Sequence, residues 1–213
     1  MTSYRSIIRR ATQVGAVVLI AAAVSGCGFS ERPALVRQTF LLQATPPAKP
    51  IVTAPRAASL KLNRFVVAAA FRGTALVYRQ SDLRYVSDFY YEYFVAPAPM
   101  LTDSAAAWLA AAHIFRDVLP PSASAEGDFL LEGFVSELYG DFRDEAKPVA
   151  VLTAKFFLTD ARATTGIPLW QREYTQRTPM RERTPAVLAI GLNTAWNAML
   201  ADLARDLGEA RLP

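Results

Sequence analysis

The sequence predicts an α+β fold: a two-layer sandwich in which a mainly antiparallel sheet carries two helices packed on one face. Three observations predict it. Strand signals, a helix, further strands and a final helix follow one another along the chain, the order expected of segregated α+β layers. Three extended signals between Phe129 and Thr175 succeed one another across short polar turns. Two segments, 102–119 and 184–208, repeat apolar residues at intervals of three and four, so each buries one face.

The chain does not begin with that domain. Arg5, Arg9 and Arg10 come first, with no acidic residue before Glu31, and an apolar run from Val14 to Val24 follows. This is the basic region and hydrophobic segment of an export signal. As a helix the run measures roughly 16 Å, against a hydrocarbon core of roughly 30 Å, so it is short for a span. No later segment is expected to be long and apolar enough either. The run ends in Val24-Ser25-Gly26-Cys27, which resembles the bacterial lipobox, where small residues admit a peptidase to the bond before a cysteine. The resemblance implies that residues 1–26 are removed and that Cys27 carries a diacylglyceryl thioether, with the new amino terminus usually acylated too. One acyl chain binds a bilayer reversibly, at about 0.8 kcal/mol per buried CH₂, and two or three anchor stably. The alternative is an unmodified cysteine in an ordinary signal peptide or membrane helix.

Processing changes the charge argument. The full chain is formally +4, with 23 basic and 19 acidic residues. Without Arg5, Arg9 and Arg10 the balance is 20 against 19, so the basicity belongs to the targeting segment and gives no ground for a nucleic-acid partner. Cys27 is the sole cysteine, and its acylation leaves none for a disulfide. The 187 residues from Cys27 onward make one domain's worth of chain. The expected division is signal peptide 1–26, lipidated tether 27–37 and a single domain 38–210.

Within the domain, Phe40-Leu41-Leu42 reads as a first short strand. Pro46, Pro47, Pro50 and Pro55 then exclude a helix or central strand through 45–58, which reads as an extended crossing segment or loop. Leu60 to Leu62 with Phe65 to Ala68, Leu76 to Arg79, and Leu83 to Val86 carry strand signals, with a turn at Arg72-Gly73. Tyr90, Tyr91, Tyr93 and Phe94 follow, ending at Pro97 and Pro99, which predict extended chain. Thr102 or Asp103 is the expected cap of a helix whose apolar positions are Ala105, Trp108, Leu109, Ala112, Phe115 and Leu119, closed by Pro120-Pro121. Phe129 to Tyr139 alternates with apolar side chains on both faces and is expected to be central. Asp141 to Lys147 reads as a charged turn, Val149 to Thr159 and Pro168 to Thr175 as the next strands, and 160–166 as their hairpin loop. Thr184-Pro185 opens the last helix, with Leu188, Leu192, Ala195, Trp196, Met199, Leu203 and Leu207 as its stripe and Gly208 as its stop. Trp108 and Trp196 are expected to be buried over one sheet face, and Trp170 to be partly covered.

Several of these motifs coincide with those of a known family. With the lipobox, Leu76-Val77-Tyr78-Arg79, the Tyr91-Glu92-Tyr93 segment running to Pro97 and Met100-Leu101, the long strand from Phe129 and the strand-hairpin-helix ending at Gly208, the chain resembles the ABC-type transport auxiliary lipoproteins. These accompany systems containing MCE-domain proteins that are thought to move phospholipid between inner and outer membranes. The resemblance implies an outer-membrane lipoprotein on the periplasmic face that docks an MCE-domain partner. Gly28 fits that placement, because the aspartate that retains lipoproteins at the inner membrane of enteric bacteria is absent. Where the family commonly has a tryptophan before the prolines, this chain has Phe94-Val95.

Nothing in the sequence points to catalysis, a cofactor or a metal. His113 is the single histidine and flanks a helical stripe, where a solvent-edge or core-edge role is expected, the alternative being a general base that no neighbouring motif supports. Ser81 and Ser136 lack a nucleophile motif, and Gly127, Gly133 and Gly140 are too scattered for a phosphate loop. Asp141, Asp144 and Glu145 are interspersed with Arg143 and Lys147, the pattern of a solvated loop. The remaining candidates are contact residues. Tyr90, Tyr91, Tyr93, Phe94 and Met100 are the candidate partner interface, the alternative being core and sheet surface. Arg177, Arg181 and Arg183 are candidates for an anionic contact, the alternative being a solvated loop. Self-association into a closed homo-oligomer is a further expectation. The competing functional class is a structural or assembly lipoprotein, a pilot or chaperone of another envelope complex.

Overall fold

Phe129–Asp141, β7, is the longest strand, and the rest of the sheet is laid along it. The computed structural model describes residues 36–163 and 166–213; residues 1–35, with the expected signal peptide and Cys27, lie outside the described residues. The strands are β1 Gln38–Phe40, β2 Arg56–Leu62, β3 Val66–Val67, β4 Ala75–Arg79, β5 Tyr85–Tyr93, β6 Phe115–Leu119, β7, β8 Val149–Asp160 and β9 Trp170–Pro179. The helices are α1 Pro97–Ala112 and α2 Pro185–Glu209.

One edge of β7 pairs antiparallel with β8 over its whole length, and β8 pairs antiparallel with β9. These three long strands are the antiparallel meander expected from Phe129 onward. The other edge of β7 is shared by three short strands, all parallel to it: β2 at Phe129 to Leu131, β3 at Phe134 and Val135, and β4 at Gly140 and Asp141. β6 extends the sheet beyond β2, while β5 and then β1 extend it beyond β4. The sheet is therefore mixed, with its longest ladders antiparallel, and both helices cover one face.

Alternation explains which face is which. Phe129, Leu131, Gly133 and Val135 are buried toward the helices. The register with β8 then shifts across Ser136, a bulge, so that Leu138 returns to the same side. Above these residues Phe65, Phe156 and Trp196 form one aromatic cluster, with ring centroids 5.6 to 6.3 Å apart. Gly133 has to be glycine here, because a Cβ would stand 2.7 Å from the Phe65 ring.

The two helices are joined by their tryptophans. Trp108 Nε1 on α1 donates to Asn197 Oδ1 on α2 at 3.1 Å, and Trp196 Nε1 donates back to Ser104 Oγ at 3.3 Å. Both indoles are buried over the same sheet face, as expected, and Trp170 is partly covered. The proline-rich segment after β1 is the expected crossing. The residues between β1 and that segment clasp both helices: Asn193 on α2 accepts from the Gln43 amide and donates to the Leu41 carbonyl, and Ser104 on α1 accepts from the Ala44 amide. Farther on, the Ile51 amide donates to the Ala112 carbonyl at the end of α1.

Four expectations need correction. α1 begins at Pro97, five residues before the expected cap. Pro97 and Pro99 lie in its first turn, where their missing N–H groups would have found no intrahelical partner. Thr102 is not a cap but sits buried inside α1, accepting from the Phe65 amide and donating to the Ala98 carbonyl. α1 ends at Ala112, and Phe115 to Leu119 form β6 rather than its last turns. His113 adopts a left-handed conformation (φ 57°) that stops the helix, and the chain then covers the open edge of β2. Gly208 does not stop α2, which runs to Glu209; the Arg56 guanidinium caps it instead, donating to the carbonyls of Leu207, Gly208 and Ala210. Finally, α2 is long and apolar enough by length and composition to cross a membrane, contrary to expectation. Half of that stretch is buried against β8 and β9, because its apolar stripe builds the core.

Candidate interaction surface

The aromatic segment is shaped by one carboxylate. Asp88 Oδ1 accepts from the amides of Tyr90 and Tyr91 at 2.8 and 3.0 Å, while Oδ2 accepts from the Tyr78 hydroxyl at 2.7 Å. This bends β5 where its register with β4 is interrupted, between Ser87 and Glu92. Burial, and then the Asp88 carboxylate, push the Tyr78 phenol well above its ordinary value. The bend turns Phe89 and Tyr90 out to solvent, edge to face with centroids 5.1 Å apart.

The candidate interface residues separate by burial. Tyr93 is only 2% exposed, and its hydroxyl is buried with no hydrogen-bond partner. Burial alone pushes its phenol upward. Tyr91 is half-buried beside Phe40, and Met100 is packed from α1 against the core. Tyr90 and Phe94 are the exposed members, with Phe94 67% exposed beside Val95 at 42%. The five residues thus form no single surface: Tyr93 belongs to the core, and Phe94 with Val95 forms a separate apolar step at the start of α1. Leu83 and Arg84, expected to open a strand, instead lie in the β4–β5 turn, with Leu83 95% exposed, and Phe89 is an exposed ring outside the expected interface. Leu83 had a signal: it is the lone large apolar residue in Ser81-Asp82-Leu83-Arg84.

The arginines are also unequal. Arg177 reaches Asp141 at 3.2 Å and Arg183 reaches Glu145 at 3.1 Å, whereas Arg181 is exposed. Asp141 is no solvated turn residue. It ends β7, is 5% exposed, and is gripped bidentately by Arg143, which also reaches Asp82 at 2.7 Å. The Arg143 guanidinium, helped by Arg177, holds the Asp141 carboxyl well below the usual carboxylate range against the opposing effect of burial. On the sheet face away from the helices, Phe71 stacks on Tyr139, Tyr85 meets both edge-on, and the Arg79 guanidinium lies 5.5 Å from the Tyr85 centroid.

His113 is exposed at the end of α1, and no group of three metal-ligating side chains occurs among the described residues. An open surface groove along α2 is lined by Gln43, Thr45, Ile190, Asn193, Thr194 and Asn197.

The chain matches no protein-family model, and no curated protein matches it by sequence. Its fold does match solved structures. Protein XCC0632 from Xanthomonas campestris, of the family DUF330, superimposes with a TM-score of 0.66 at 17% identity, covering 81% of this chain and 95% of that one. A crystal structure of an uncharacterised protein superimposes with a TM-score of 0.64 at 14% identity, covering 81% and 99% respectively. At these identities the likeness establishes a shared fold.

Proposed function

We propose that this chain is a non-enzymatic, lipid-anchored accessory of an intermembrane transport system, held at the periplasmic face of the outer membrane. There it docks an MCE-domain partner that spans the periplasm. The observation that carries the reading is Val24-Ser25-Gly26-Cys27 behind Arg5, Arg9 and Arg10 and a short apolar run. Support for the particular system comes from the segments that resemble the auxiliary lipoproteins. In the structure these are elements of one sheet and its helices: β4, β5 leading into α1, and the run from β7 to α2. The chemistry on display is that of contact. The exposed apolar step of Phe94 and Val95 follows the C-terminal end of β5 and suits a partner's apolar anchor. Asp141 already engages Arg177, and Glu145 engages Arg183, which leaves Arg181 and the apolar step as the better candidates for outside contact.

The test uses the lipidated protein in detergent and a purified periplasmic MCE-domain protein from the same cell. Binding is expected, and Phe94→Asp is expected to weaken it about tenfold or more, as for a central apolar anchor, with circular dichroism unchanged. Unaltered binding by the variant would move the interface elsewhere. No binding by the wild-type protein would favour the assembly-lipoprotein reading over transport.

A further inference from the structure

The structure also bears on how the domain sits at its membrane. Resting on the lipid-anchored reading above, we infer that the end of the sheet bearing the β4–β5 turn, together with Phe89 and Tyr90, is a lipid-contact surface. It lies on the leaflet that holds the anchor, with Leu83 inserted among the head groups.

Strand direction comes first. β1 runs parallel to β5 with Gln38 opposite Tyr91, so the chain arriving at β1 comes from the side where β5 begins, past Phe89. Val36, just before β1, is 75% exposed. Eleven residue-to-residue steps lead from Cys27 to Gln38, a reach of at most about 38 Å at roughly 3.5 Å each. Leu83 lies eight residues before Tyr91, at most about 26 Å away and less because β5 bends at Asp88. The anchor's reach therefore includes the turn.

The same end of the sheet carries apolar and basic groups together. Leu83 is the most exposed large apolar side chain among the described residues, followed by Val36 before β1 and by Phe89 in the bend of β5, at 75% and 74%. At the turn Leu83 stands between an exposed Arg84 and Asp82, whose carboxylate is engaged by Arg143, while Phe89 and Tyr90 project from the bend farther along β5. At a bilayer interface leucine enters the acyl boundary, aromatic rings settle at head-group depth, and guanidinium groups meet phosphate. The pairings also bring the N-terminus of α2 to this end. Tyr85 is opposite Arg79, Arg79 opposite Asp141, Asp141 opposite Val149, and Val149 opposite Pro179, which places one row across five strands. Four interstrand gaps span about 19 Å. Just past Pro179 come Arg181 and Glu182, both exposed, then Arg183 paired with Glu145, and the N-terminus of α2, the positive end of its dipole. The opposite end of the sheet bears the hairpin after Asp160, where Ile167 and Leu169 are exposed, and points away from the bilayer.

Cys27 is the only cysteine and its sulfur is taken by lipid, so a second cysteine can be labelled selectively. Leu83→Cys, Phe89→Cys and Ile167→Cys, each at an exposed side chain, are labelled with an environment-sensitive fluorophore in the full lipidated protein. The proteins are reconstituted into phosphatidylethanolamine–phosphatidylglycerol vesicles. Emission at 83 and 89 is expected to shift to shorter wavelength and to be quenched by nitroxide-bearing phospholipid several-fold more than at 167. Quenching at 83 no greater than at 167, in protein that floats with the vesicles, overturns the contact surface alone. Wild-type protein that does not float, or floats equally well as Cys27→Ser, overturns the anchored reading and this inference with it.

Discussion

Tyr78 and Tyr93 differ in a way that only burial and partners explain. Both phenols are buried, but the Tyr78 hydroxyl donates to Asp88 while the Tyr93 hydroxyl has no partner. A buried polar atom without a partner costs free energy that a carbon in its place does not. Tyr93→Phe is therefore expected to leave stability within about 0.5 kcal/mol of wild type or to raise it, whereas Tyr78→Phe loses about 1–2 kcal/mol by urea unfolding. Equal losses would show that the Tyr93 hydroxyl is satisfied after all. Asp141 gives the second residue-scale expectation. Its folded carboxyl binds a proton more weakly than the ordinary unfolded one, near 3.9, because Arg143 and Arg177 favour the charged form. As pH falls, the unfolded chain takes up that proton first. The contribution is thus fully present above about pH 4 and is lost as the pH drops toward the lower folded value. Asp141→Asn should cost about 1–3 kcal/mol at neutral pH and flatten the acid limb of the stability profile. A variant with the wild-type acid limb would remove Asp141 from the cause of that limb.

Elements were read from the sequence where a period persisted, and misread where two periods overlap. β7, β8 and β9 alternate over ten or more residues, and α2 keeps its stripe over seven turns, so each was found to within a few residues. The chain from Pro97 to Leu119 was harder. Phe115 and Leu119 fall at helical intervals from Ala112, and the edge of β2 that they cover is set by contacts some sixty residues away in sequence. Local pattern carries no record of such pairing. Arg56 is a similar case: its role depends on β2 beginning beneath the last turn of α2, about 150 residues on. That role is testable. Arg56→Ala leaves the final carbonyls of α2 without their cap, so amides in 205–210 should exchange about fivefold faster, for a loss of about 1 kcal/mol. Exchange there at the wild-type rate would mean that solvent caps the helix equally well.

For the molecule as a whole, the two-layer architecture was legible because composition and period repeat over long distances, whereas the contact surface was legible only in outline. The sequence marks an aromatic cluster at 90–94 but not which rings turn inward. That depends on Asp88 bending β5, a side-chain to backbone contact with no periodic signature. Tyr93 consequently lies in the core, and Phe89, just outside the 90–94 cluster, lies at the surface. The attachment of β1 carries a mechanical consequence. An envelope protein fixed to one membrane and joined to a partner feels tension whenever the two layers separate. β1 lies along β5, so a pull from its N-terminal side acts along the strand axis and loads the three paired residues together, in shear, rather than unzipping them singly. Immediately behind them, the Asn193 and Ser104 bonds hold residues 41–44 to both helices, so the force passes from the strand into the helical layer. A load applied from the N-terminal side of β1 is thus resisted by the whole ladder and the helical layer behind it.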